Sequence, residues 1–448
     1  MAAHCFDATT FVGPCNHKAR GQHHNPPAPG RSHYLKIKRK QVCNKFFIGM
    51  KRIHTILIIL LLAVTYGEAK KSSDDRQMDD FITSLMKKMT LEEKIGQLNL
   101  GGVGSPKVVG SAIGLDEAIR KGLVSSVGGF DAKAAEDAQK FAVENSRMKI
   151  PLITGLDVVH GYYTIFPIPL ASACSWNMPL LEESARVAAD EASAFGINWT
   201  FAPMVDICRD PRWGRIAEGA GEDPCLGSRI GRAMVRGFQG DDLSKPNTLL
   251  ACVKHFALYG ASEAGRDYNT VSMDPVTMYN YYLPPYKAAF DEGAGSGMTS
   301  FNVVNGVPAT GNKWLLTDLL RDQWKFKGFM VSDANSLAEM SEHGMGGAQR
   351  ITELAMNAGL DMDMSSSLYV LCLKKAVEEK RVPLSRIDAA CRRVLEAKYK
   401  LGLFEDPFRY LKNKQRQSQV LSPQNRDVAR RLAAESIVLL KNSEQLLP

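Results

Sequence analysis

Five short apolar runs end, one after another, in a charged or amide side chain. Pro151 to Leu156 stops at Asp157, Trp199 to Val205 at Asp206, and Leu249 to Val253 at Lys254 and His255. Met298 to Phe301 stops at Asn302, and Phe329 to Ser332 at Asp333. A sixth run, through Leu360, carries Asp361 and Asp363. Runs of this length between turn residues read as buried parallel strands. Amphipathic helical patterns alternate with them near 131–147, 178–195, 225–238, 276–291, 312–323, 346–358 and 385–400. Ahead of them, Thr90-Leu91-Glu92-Glu93 has the form of a capping box that opens a helix. Strands that repeatedly terminate in polar groups predict an α/β chain folded as a (β/α)8 TIM-type barrel, because that fold projects its working side chains from the C-terminal strand ends. A doubly wound open sheet also binds ligands at strand ends. No G-x-G-x-x-G follows a strand here, which counts against a dinucleotide site.

The barrel pattern occupies residues 70–402. Before it, Met50 starts a secretion-signal pattern. Lys51 and Arg52 form a positive start, Ile56 to Val64 an apolar run, and Gly67-Glu68-Ala69 a cleavage-like end. The run is short for a permanent span, so 50–69 reads as a signal peptide and not as a membrane anchor. The expected location is periplasmic or secreted. Residues 1–49 are rich in His, Pro and Lys without apolar period, and read as a spurious upstream extension. Beyond the barrel, 403–425 turns polar and basic and reads as a linker. A helical pattern at Asp427 to Glu435 and a strand-like Ile437-Val438-Leu439-Leu440 follow. One helix and one strand cannot bury their own apolar faces. Residues 426–448 are therefore expected to begin a second α/β sandwich domain that the sequence leaves truncated.

Charge narrows the partners. The formal net charge is +8, but residues 1–49 hold eight Lys/Arg against Asp7, and 50–69 add +1. Residues 70–448 are then neutral, which gives no electrostatic ground for a nucleic-acid partner. Of nine cysteines, Cys5, Cys15 and Cys43 precede the signal. Cys174, Cys208, Cys225, Cys252, Cys372 and Cys391 are scattered with no C-x-x-C pair, so no zinc site is expected.

The polar strand ends belong to longer motifs. Gly155-Leu156-Asp157-Val158-Val159-His160-Gly161 is followed by Pro211-Arg212-Trp213-Gly214-Arg215 with Gly221-Glu222-Asp223-Pro224. Lys254-His255-Phe256 and Val331-Ser332-Asp333 come after. Four motifs in this order resemble glycoside hydrolase family 3, from about Thr90 to Pro448, and within it the periplasmic β-glucosidases. The resemblance implies a retaining exo-β-glucosidase that acts on a β-glucoside or small oligosaccharide and needs no metal or organic cofactor. Retaining enzymes use two carboxyl groups, one attacking the sugar and one protonating the leaving oxygen. Asp333 stands where the family places the nucleophile, and a helix cap is its bland alternative. Asp157, Arg215, Lys254 and His255 match sugar-binding positions. Charged side chains suit that task because they hydrogen-bond hydroxyls strongly. A salt bridge to Glu218 or Glu222 competes with that role for Arg215, and a core position competes for His255. Phe301 either lines the sugar face or packs in the core. Asp206 and Asp210 are expected to organise the arginine-rich loop.

Two departures matter. Ala334 follows Asp333, where many members of the family carry Trp. The general acid/base of the family's β-glucosidases is a Glu from the following domain, so the acid/base is expected to be absent from this chain. Glu218, Glu222 and Glu263 are available carboxylates that nothing assigns to the task. The stretch Leu258 to Asn269 lacks the Asp-Ser-His signature of the family's β-N-acetylhexosaminidases. A β-xylosidase or other exo-glycosidase of the family, and a truncated inactive sugar-binding barrel, are the alternatives.

Overall fold

A computed structural model describes residues 73–102, 114–128, 132–412 and 414–445. The expectations for 1–49 and 50–69 lie outside the described residues. No helix among the described residues is long and apolar enough to cross a membrane.

Eight parallel strands form one sheet. They are β1 (Asn99–Gly102), β2 (Ser126–Gly128), β3 (Ile153–Leu156), β4 (Trp199–Thr200), β5 (Leu250–Phe256), β6 (Ser296–Thr299), β9 (Phe329–Val331) and β10 (Asp363–Met364). A small antiparallel hairpin, β7 (Val303–Val304) and β8 (Val307–Pro308), is inserted after β6. The order is β10-β1-β2-β3-β4-β5-β6-β9, with parallel pairing throughout. Met362, beside β10, bridges Val331 of β9, so the two ends of the row meet. This is the expected (β/α)8 TIM-type barrel. Aromatic contacts show that its interior is filled. Trp199 on β4 reaches across to Phe329 on β9 at 5.2 Å between ring centres, and its Nε1 donates to Ser296 Oγ at 2.8 Å. Gly155 on β3 has no room for a side chain, since a Cβ would lie 2.6 Å from the Phe201 ring.

Most helical patterns fall where expected, at Ala132–Asn145, Met178–Ala194, Pro224–Gln239, Trp314–Gln323, Ala348–Ala358 and Leu384–Lys400. Prolines 284 and 285 divide the 276–291 pattern into a helical stretch over 275–282 and a helix over Pro284–Asp291. The Thr90 capping box is present: Glu93 N donates to Thr90 Oγ1 at 3.2 Å, and Thr90 N to Glu93 Oε2 at 2.9 Å.

Three expectations need correction. The run Trp199 to Val205 is a strand only at Trp199–Thr200. Beyond Thr200 the link to β5 continues irregularly: Cys252 N donates to Ala202 O at 2.9 Å, Lys254 N to Pro203 O at 3.0 Å, and Val205 N to Lys254 O at 2.9 Å. Asp361 is not at a working strand end. It precedes β10 at the opposite end of the barrel, where it accepts from Arg321 at 2.6 Å, Arg393 at 2.7 Å and Met330 N at 2.7 Å. Ile437 to Leu440 form no strand and are exposed, because no neighbouring strand among the described residues pairs with them.

Residues 403–425 do more than connect. Leu403 and Tyr410 are buried against the barrel, and the helix Pro423–Glu435 packs Val428 and Leu432 on Leu180 and Leu181. Glu191, buried on the helix Met178–Ala194, joins the two regions. Its carboxylate accepts from Tyr163 N (3.0 Å), Thr164 N and Oγ1 (both 2.7 Å), Leu421 N (3.0 Å) and Asn425 Nδ2 (2.8 Å). Removing it orphans several buried donors at once. Glu191→Ala is predicted to lower unfolding free energy by about 3–5 kcal/mol in denaturant titrations. A loss under about 1 kcal/mol would count against this clamp.

Lys398 is fully buried and donates to Gln97 Oε1 at 2.7 Å. Burial, which penalises the ammonium, lowers its pKa from 10.5 to about 7. Between those values the unfolded chain carries a proton that the folded chain lacks. Stability is thus predicted to rise with pH from about 7 to 10.5 and to be flat on this account below 7. In Lys398→Met this rise should vanish from unfolding curves measured across that range.

Candidate active site

All eight strands point the same way, so the residues at their C-terminal ends share one face of the barrel. β3 delivers Asp157, β5 delivers Lys254 and His255, and β9 delivers Asp333. Lys254 and His255 lie within β5, not after it. Arg215 comes from the loop after β4, at the start of the 3-10 turn Ile216–Glu218.

His255 is the best-fixed member. Asp206, buried in the loop after β4, accepts from the His255 backbone N at 2.8 Å and lies 2.9 Å from its ring Nδ1. The Tyr286 hydroxyl sits between Asp206 Oδ1, at 2.5 Å, and His255 O, at 2.8 Å. A carboxylate accepts only, so Nδ1 carries the proton in that contact and Nε2 is left to face the site. Nε2 lies 3.5 Å from Asp333 Oδ2. The expected role of Asp206 is therefore corrected: it holds the β5 end, while Asp210 organises the arginine-rich loop through Arg212 at 2.6 Å.

Asp333 follows β9. One carboxylate oxygen, Oδ1, accepts from Ala334 N at 2.7 Å. The other, Oδ2, is buried and has no hydrogen-bond partner. Burial raises the pKa of Asp333, while the charges of His255, Lys254 and Arg215 act to lower it. The result is an acceptor held ready and unused. A plain helix cap does not have this arrangement, since its oxygens would be spent on backbone amides.

Lys254 pairs with Asp157 across the mouth. Lys254 is 4% exposed and Asp157 is 58% exposed, so the carboxylate sits at the rim and the ammonium below it. Arg215 forms a two-pronged pair with Glu218, Nε at 2.7 Å and Nη2 at 2.8 Å, and its guanidinium lies 5.5 Å from the Tyr259 ring centre. Burial opposes the charge on Arg215, but the Glu218 pair outweighs it and raises the pKa. Burial likewise works to raise the pKa of Glu218, and Arg215 overcomes it and holds the carboxyl below its usual range. The salt bridge read as an alternative thus exists, and it leaves the remaining guanidinium nitrogen free of that pair. Phe301 is 9% exposed and packs on Tyr259 and Tyr268.

The structure adds residues that sequence reasoning left out. The Tyr259 hydroxyl is buried, and burial and the Asp267 carboxylate push its pKa up, while Asn302 Oδ1 after β6 is buried without a hydrogen-bond partner. Glu339, half-buried on the short helix Ser336–Glu339, has a carboxyl raised by burial and by the charge of Asp333. Its place six residues after Asp333 is the available signal. Asp363 turns inward to its own chain, accepting from Ser366 Oγ at 2.6 Å, and burial raises it to about 6.

Comparison with known proteins agrees with this geometry. The family model described as glycosyl hydrolase family 3 N terminal domain matches residues 90–397. A periplasmic beta-glucosidase of Salmonella typhimurium is 43% identical over 83% of this chain and 49% of its own length. A putative beta-xylosidase of Formosa agariphila is 32% identical over 86% of this chain and 54% of its own. A solved beta-glucosidase from Listeria innocua in complex with isofagomine superposes with a TM-score of 0.78 at 43% identity, covering 82% of this chain and 52% of that one. This chain spans about half the length of these relatives. Barrel, motifs and matches together establish that the chain belongs to glycoside hydrolase family 3.

Proposed function

We propose that this chain carries the sugar-binding and nucleophile-bearing part of a secreted or periplasmic retaining exo-β-glucosidase. The observation that carries the reading is the buried, unpartnered Oδ2 of Asp333, set 3.5 Å from His255 and among cations. The named functions of the Salmonella and Listeria relatives support it. So does the signal-like sequence before the barrel.

In this reading Asp157, Lys254, Arg215 and His255 hold the hydroxyls of a terminal glucosyl residue. Asp333 Oδ2 attacks the anomeric carbon, the glycosidic oxygen leaves with the bonding pair, and a glycosyl-aspartate ester forms. Water then breaks the ester and releases glucose with the original anomeric configuration. Cations around Asp333 oppose the burial that raises its pKa. The leaving oxygen needs a proton. Glu218 is unsuited to give it, because Arg215 holds that carboxyl ionised. Glu218 is therefore not the acid/base.

Incubation with 2,4-dinitrophenyl 2-deoxy-2-fluoro-β-glucoside tests the nucleophile, since this leaving group departs without an acid. Intact-mass spectrometry should show one added fluoroglucosyl group, mapped to Asp333 and absent in Asp333→Asn. An adduct on another carboxylate, or one that survives Asp333→Asn, would contradict the assignment.

The pH dependence of that labelling tests the surroundings. Asp333 must be ionised to attack, and its pKa is raised. Labelling should therefore fall away on the acid side above the usual carboxylate range. Lys254→Met removes a charge that lowers the Asp333 pKa, so the fall should move to higher pH and the rate drop by about tenfold or more. An unmoved acid limb would mean that Lys254 does not act on the nucleophile.

A further inference from the structure

A line of rings runs from the candidate nucleophile to the surface. His255 touches Tyr259 at 5.2 Å between ring centres, Tyr259 touches Phe301 at 5.8 Å, and Phe301 touches Tyr268 edge-on at 4.7 Å. The first three are buried. Tyr268 ends the line and is 50% exposed.

Its position is built, not incidental. Tyr268 has a backbone φ of +65°, a conformation that bulky residues rarely adopt. Asp267 holds it there. Asp267 Oδ1 accepts from Trp213 Nε1 at 2.9 Å and from Tyr268 N at 3.2 Å. Trp213 belongs to the loop that supplies Arg215, so one carboxylate ties the Tyr268 loop to the sugar-binding loop. The phenol lies within the field of the site. Burial raises its pKa, and the charges of Asp267, Glu339 and Asp333 raise it further. Beside the nucleophile, Ala334 is small and exposed, so no large side chain occupies the position directly after Asp333.

We infer that the Tyr268 ring is the platform for the leaving group of the glycoside, stacking on the C–H face of a sugar or on an aryl ring. The inference rests on Asp333 being the nucleophile, which puts the glucosyl residue over Asp333 and its leaving group toward the mouth. Aromatic faces bind such flat, partly apolar groups. Tyr268 is thereby a specificity-determining residue that acts on the leaving group and not on the glucose.

Non-hydrolysable thioglucosides separate the two parts without turnover. Methyl β-thioglucoside reports the glucose subsite alone, and phenyl β-thioglucoside adds the leaving-group contact. By titration calorimetry the phenyl compound should bind the unsubstituted chain about two- to tenfold tighter than the methyl compound. Tyr268→Phe should keep that gain. Tyr268→Ala, shown folded by circular dichroism, should lose it while binding the methyl compound as before. A gain that survives Tyr268→Ala, no gain in the unsubstituted chain, or an equal loss for both compounds overturns the inference. If neither compound binds the unsubstituted chain, the glucose-subsite reading itself fails, and this inference with it.

Discussion

The site depends on one buried carboxylate. Asp206 accepts from both the backbone and the ring of His255 and is contacted by Tyr286. These bonds fix the end of β5, and β5 supplies Lys254 as well as His255. The position of the lysine, its pairing with Asp157 on β3 and the approach of His255 to Asp333 all follow from that anchor. The barrel places the strand ends on one face, and Asp206 holds the end of β5 where it presents Lys254 and His255.

Electrostatics then decides what the face can do. A carboxylate in a cavity resists ionisation, and cations oppose that resistance. At Asp333 both act, leaving an oxygen that is buried, unpartnered and surrounded by positive charge. At Glu218 the adjacent guanidinium prevails and the carboxyl is held ionised. Two carboxyl groups on one face thus have different chemistry because one is bonded by Arg215 and the other is not. The same principle explains why Asp361, an acid in a strand-like run, takes no part. Its oxygens are used by Arg321, Arg393 and a backbone amide at the far end of the barrel.

The barrel was legible because polar residues follow apolar runs at β3, β5, β6 and β9. β1 and β2 give no such signal. Asn99-Leu100-Gly101-Gly102 and Ser126-Val127-Gly128 are short and glycine-rich, with little apolar period to detect. The site residues Asp157, Arg215, Lys254, His255 and Asp333 were named from motifs, and the fold brings four strand-end or in-strand groups and the Arg215 loop to one face. The partners were hidden. Asp206 looked like a loop organiser because its contacts with His255 and Tyr286 are 49 and 80 residues away in sequence. Tyr268 gives no signal in the sequence, because only the folded loop covers Phe301 and leaves Tyr268 half exposed. Ile437 to Leu440 have strand-like composition, but composition cannot supply the neighbour that a strand needs.

The most direct measurement is a crystal structure of the chain with glucose bound. One glucose ring is expected on the C-terminal face of the barrel. Its hydroxyls should contact Asp157, Lys254, His255 and Arg215, and its anomeric carbon should face Asp333 Oδ2 at about 3–3.5 Å. Glucose bound on another face, or a ring that turns its anomeric carbon away from Asp333, would contradict the role proposed for Asp333.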